Sequence, residues 1–91
     1  MFKNKSIKRK VSAMLEIPKE LALNLPLVTI TGSEELLIEN YKSVIEYSDD
    51  RIRISTSCGV LQIYGHKLLL KHITSEDISV SGTIKKLEYT L

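Results

Sequence analysis

The chain reads as a small all-β protein, and three features of its sequence predict this. From residue 27 onward apolar residues recur at every second position, as in Val28/Ile30, Ile52/Ile54, Leu61/Ile63 and Ile78/Val80. That period places side chains on one face of a pleated strand. Clusters of Gly, Ser and Asp interrupt these runs at intervals of roughly eight residues, the rhythm of sandwiches and partly closed barrels. The third feature is aliphatic packing: with one Phe, four Tyr and no Trp, the core falls to Leu, Ile and Val. The expected architecture is a two-layer β-sandwich or rolled sheet of roughly seven or eight short strands, with stacked β-arches as a solenoid-like variant, preceded by a short N-terminal helix.

Ninety-one residues form one domain. The division expected is a basic arm with short helical segments over residues 1–24 and a β domain over 25–91. A chain of this size buries only about 60% of the surface its unfolded form exposes, so its stability is modest. The net charge of +2 is unevenly spread: residues 1–12 hold Lys3, Lys5, Lys8, Arg9 and Lys10 and no acid, leaving eight basic and eleven acidic side chains, or −3, on the rest. A basic arm on a mildly acidic body argues against the folded part being a nucleic-acid surface.

Ile7, Val11, Met14 and Leu15 fall at helical spacing, with Lys8, Arg9, Lys10 and Ser12 off that stripe. Pro18 suits the first position of a second helical turn through Leu23, and Pro26 ends any helix by about Leu25. The period then becomes twofold. Leu27–Thr31 is a strand, Gly32-Ser33-Glu34 turns, and Leu36–Asn40 follows, its Leu36-Leu37-Ile38 run suggesting burial on both faces. Ser43–Tyr47 leads to the turn Ser48-Asp49-Asp50. Three strands around Ile52–Ile54, Leu61–Ile63 and Leu68–Leu70 are broken by Ser57-Cys58-Gly59 and Gly65-His66-Lys67. Asp77–Ser81 and Thr83–Leu91 close the chain on either side of Gly82, and a twist or bulge near Lys85-Lys86 would explain the odd offset from Ile84 to Leu87. The segments Val28–Gly32, Leu61–Gly65 and Ile78–Gly82 share one pattern, apolar-x-apolar-x-Gly. It fits either ordinary strands ending at glycine turns or stacked similar units.

No catalytic, cofactor-binding or metal-ligating constellation is expected. His66 and His72 with the single Cys58 cannot build a structural zinc site. Cys58 sits in a turn with no base to activate it, and Glu34-Glu35 and Asp49-Asp50 lack the alternating spacing of a calcium loop. No nucleophile elbow, P-loop or dinucleotide fingerprint occurs. The opening residues lack the apolar run of a secretory signal and no stretch approaches the ~20 apolar residues of a membrane span, so a cytoplasmic protein is expected.

Interaction candidates are Tyr64, on an outward strand face with Val60 and Gln62, and Asn40 with Tyr41, beside a strand taken as an apolar, unguarded edge between edges protected by Lys71, Lys85 and Lys86. Such an edge serves a partner or a second copy of the chain in a homo-oligomer. The arm residues Lys3, Lys5, Lys8, Arg9 and Lys10 suit an anionic membrane surface or an acidic partner. A small nucleic-acid-binding barrel with a basic tail is the competing class, with the tyrosines as stacking platforms.

Leu25-Pro26, the strand ending in Gly32, Ile38-Glu39-Asn40-Tyr41, Ile52-Arg53-Ile54, Gly59–Gly65, Leu68–Lys71 and Ile78–Gly82 with Ile84 occur in an order that resembles the YabP/YqfC family of sporulation proteins. The Pro18 segment, the Leu-Pro pair and the Ile-Glu-Asn-Tyr motif are similar to the YqfC-like members, and the likeness runs from about Ile17 to the C-terminus. The resemblance implies a non-enzymatic protein of endospore formation, made in the mother cell and acting by protein–protein interaction in spore envelope assembly. It also implies a membrane-protein partner, YqfD, encoded beside YqfC-like proteins, and a place at the forespore outer membrane. It implies no cofactor and transfers no functional residue.

Overall fold

The computed structural model describes residues 25–91, and the helical segments and basic arm expected over residues 1–24 lie outside them. The described chain is all-β: β1 (Leu27–Thr31), β2 (Glu35–Glu39), β3 (Tyr41–Tyr47), β4 (Arg51–Thr56), β5 (Gly59–Lys71) and β6 (Asp77–Thr90). They form one antiparallel sheet in the order β1-β2-β6-β5-β4-β3. Six strands stand where seven or eight were expected. The glycine breaks at Gly65 and Gly82 do not reverse the chain but kink it, so the segments on either side fuse into the long strands β5 and β6.

At these kinks the sheet folds over onto itself. Pairing runs from Tyr64↔Lys86 to Gly65↔Ile84, leaving Lys85 as an extra residue, and from His66↔Thr83 to Leu69↔Ser81, leaving an extra residue on β5. The first shift accounts for the odd offset between Ile84 and Leu87. Lys67 takes a left-handed φ of 51° and Gly82 a φ of 124°. Two hairpin turns secure the bends. Asp50 O accepts Gly65 N (3.1 Å) and Asp49 O accepts Leu68 N (2.8 Å), while Glu34 O accepts Gly82 N (3.2 Å) and Ser33 O accepts Ile84 N (2.7 Å). Backbone groups freed where the ladder breaks are thus satisfied by the tips of the β3–β4 and β1–β2 turns. The two motifs ending in Gly65 and Gly82 occupy corresponding places, each a strand running into a capped kink. Gly32 (φ 59°) lies in a hairpin turn, so the resemblance of the three segments is not a stacked repeat.

One layer holds β1, β2, the start of β6 and the end of β5; the other holds β3, β4, the start of β5 and the end of β6. Leu36, Ile38, Leu68, Ile78 and Val80 from the first face Ile52, Ile54, Leu61 and Ile63 from the second in one buried cluster. Leu37 was expected to be buried with its neighbours, since the run of three apolar residues read as a strand covered on both sides. It points outward and is 39% exposed, because among the described residues no third layer covers β2.

Candidate interaction surface

The outer face of the second layer carries Tyr64 in a cross-strand row, Arg51↔Tyr64↔Lys86. Lys86 Nζ lies 5.2 Å from the ring centroid, and Tyr64 Oη donates to Gln62 Oε1 at 2.8 Å. The cations are themselves paired. Arg51 Nη2 sits 3.0 Å from Glu46 Oε2 and Arg53 Nη1 3.6 Å from Glu46 Oε1, and Lys86 Nζ is 3.7 Å from Glu88 Oε1. Hydrogen bonding to Glu46, then its charge, raises the Arg51 pKa above its ordinary value. An aromatic between cations is the geometry of a stacking platform, but carboxylates close by cancel most of the charge that would hold a phosphate backbone.

Asn40 and Tyr41 lie where the chain leaves β2 in one layer and enters β3 in the other. Asn40 adopts φ 65°, a left-handed conformation that Asn tolerates. Its amide and that of Tyr41 both donate to Glu76 O (2.7 and 3.3 Å), its Nδ2 donates to Leu25 O (2.9 Å), and Tyr41 Oη donates to Thr74 O (2.6 Å). Tyr41 also packs against the core cluster. The pair holds the crossover to the β5–β6 turn. Tyr41→Phe, which removes only the hydroxyl, is expected to lower stability by about 1 kcal/mol in chemical denaturation; an unchanged midpoint would show the hydroxyl bond to be idle.

The edge expected at Leu36–Asn40 is not an edge: β2 pairs with β1 on one side and β6 on the other. Tertiary pairing, which local patterning does not encode, moved the exposed edge one strand outward. Among the described residues four stretches of strand pair on one side only. Three are protected in the usual ways. β3 carries Lys42 and two register shifts, the end of β5 carries Lys67 and Lys71, and the end of β6 carries Lys85, Lys86 and Glu88. The fourth, β1, reads Leu-Val-Thr-Ile-Thr, without a charge, a proline or a bulge.

Beside β1 the fold leaves an apolar cleft between the layers. Val28 and Ile30 from β1 face Leu61, Leu87 and Tyr89, and the cleft continues past Gly32 to Ile84. Ile30 is 50% exposed and Tyr89 42%, although both point to the inner side of the sheet. β1 is too short to cover the end of β6 beneath it. Partial burial, and secondarily the nearby Cys58, push the Tyr89 pKa up from its ordinary value. Sequence reading missed this cleft. Its only trace was an inward-facing series, Leu87, Tyr89 and Leu91, running to the chain end with no partner strand to cover it.

A six-stranded antiparallel sheet folded on itself, with an apolar cleft and one uncharged edge strand among the described residues, defines a small all-β protein. The YabP family model matches residues 25–91, the whole of this sheet, and the chain belongs to that family. It is also 31% identical over 83 residues to an uncharacterised protein, YqfC, of Bacillus subtilis strain 168, covering 91% of this chain and 89% of that one.

Proposed function

We propose that this chain is a non-enzymatic sporulation protein that acts by protein–protein contact in the mother cell, its partner a membrane protein at the forespore surface during assembly of the spore envelope. The cleft between β1 and the end of β6 carries this reading. Ile30 and Tyr89 lie half exposed along this cleft, and a partner's apolar side chain inserted there removes both from water. The family resemblance supplies the sporulation context and names the partner to try first, the membrane protein YqfD. The basic arm, Lys3 to Lys10, adds an electrostatic hold on the anionic lipid around such a partner.

Tagged chain incubated with detergent-solubilised membranes containing YqfD is expected to retain that protein. Tyr89→Asp, which puts a carboxylate at the cleft's mouth, is expected to reduce retention at least about tenfold, as a loss of ~1.4 kcal/mol requires. A variant with native unfolding behaviour that retains as much YqfD as the parent would locate the contact elsewhere. No retention by the parent would remove this partner.

A further inference from the structure

The cleft beside β1 changes character along its length. Val28, Ile30, Leu61, Leu87 and Tyr89 make one end apolar; toward the β1–β2 turn it passes Ile84 and Gly32 and reaches Ser33, Lys85 and Lys86. The charges on its rim are not equally engaged. Lys86 Nζ is 3.7 Å from Glu88 Oε1 and also lies over the Tyr64 ring, so Lys86 and Glu88 offset each other. Lys85 is placed differently. It is the extra residue of the β6 bulge, it has no carboxylate partner among the described residues, and its Nζ stands 2.9 Å from His66 Nε2. A neutral imidazole nitrogen accepts a hydrogen bond from the ammonium but brings no negative charge, and the ammonium's other donors stay available. The apolar trough therefore ends at an uncompensated positive charge.

We propose that the partner segment received by this cleft is apolar and carries an acidic residue, its apolar side chains lying along Val28, Ile30 and Tyr89 and its carboxylate meeting Lys85 at the Gly32 end. This inference rests on the docking reading above and adds the partner's chemistry to it. Charge complementarity selects an acid over a base. A Lys or Arg of the partner at that end would face Lys85 and Lys86 with only Glu88 to offset them, and like charges brought together at an interface cost affinity. Space for the carboxylate exists there, since nothing lies within 4 Å of where a Cβ on Gly32 would sit. The shallow form of the cleft selects a protein segment over a free fatty acid. Small-molecule sites enclose roughly 70–90% of their ligand. Here Ile30 and Tyr89 stay half exposed, which suits a segment held by the rest of its own protein and covered on one side only.

The test uses the purified full chain and two short fluorescein-labelled peptides that share one valine–leucine stretch and end in glutamates or in lysines, with binding read by fluorescence anisotropy. The glutamate-ended peptide is expected to bind about threefold or more tighter than the lysine-ended one at low ionic strength, the gap closing as salt is added. Lys85→Gln is expected to remove the preference and Lys85→Glu to reverse it; the side chain is exposed, and unchanged urea midpoints check that both variants fold. Tyr89→Asp is expected to weaken both peptides. Equal binding of the two peptides, a preference that survives Lys85→Glu, or no binding of either overturns the proposal. So does decanoate binding as tightly as the glutamate-ended peptide, which would assign the cleft to a lipid, or self-association of the parent that excludes both peptides, which would assign it to a second copy. YqfD retention separates this inference from the one it rests on. Retention that Tyr89→Asp reduces, beside peptides that bind alike, leaves the docking contact standing without the acidic residue. A glutamate preference without YqfD retention supports the chemistry and removes that partner.

Discussion

Gly82→Ala is expected to lose about 3–5 kcal/mol of stability, a large share of what the domain has. Two costs combine. A φ of 124° is one that L side chains rarely adopt, a strain of about 1–3 kcal/mol. The added methyl would also stand 2.5 Å from Lys67 O and 3.0 Å from His66 O, backbone atoms of the bulge in β5 that cannot swing away, and forced overpacking adds about 1–3 kcal/mol more. Domains gain about 0.05–0.15 kcal/mol per residue, so a sheet of this size has only about 3–10 kcal/mol to lose. Gly32→Ala is the control: its φ is 59° but nothing lies within 4 Å of the new methyl, so about 1–2 kcal/mol is expected. Urea titrations of the two variants read the difference. Similar midpoints would mean that the kink at Gly82 tolerates a side chain and that the fold-over does not depend on it.

The second large effect separates two neighbours on β2. Ile38 is completely buried and Leu37 is 39% exposed. Ile38→Ala is expected to cost about 2–5 kcal/mol, the transfer term of the lost carbons plus the cavity they leave in the cluster between the layers. Leu37→Ala removes a side chain from the outer face, beside Thr29 and Ser79, and is expected to shift stability by less than about 1 kcal/mol. Comparable losses would mean that something covers the outer face of β2, and the two-layer description would fail.

Much of this architecture was legible along the chain. Alternation at Ile52/Ile54, Leu61/Ile63 and Ile78/Val80 marked six of the nine core side chains, because a strand's two faces are set by a period of two whatever its neighbours are. The odd step from Ile84 to Leu87 marked a bulge for the same reason, since only an extra residue restores the face. Gly65 and Gly82 were legible as interruptions but not as kinks. A glycine permits a turn and a bend equally, and the turn tips of Asp49-Asp50 and Ser33-Glu34 that hold the bends are far away in sequence. Asn40 and Tyr41 stood out as a motif, and the structure gives them a place at the crossover between layers, which no local pattern announces.

What the sequence determined alone was therefore that residues 27–91 are built of strands, which face turns inward around Ile52/Ile54, Leu61/Ile63 and Ile78/Val80, and the aliphatic nature of the core, all properties of consecutive residues and their period. Only the tertiary structure decided which strands pair, that β1 rather than β2 stands at the edge, and that Val28, Ile30, Leu87 and Tyr89 line one open cleft. Pairing depends on hydrogen bonds between segments far apart in sequence, as from Glu35 in β2 to Ser81 in β6, and alternation is blind to which neighbour receives them.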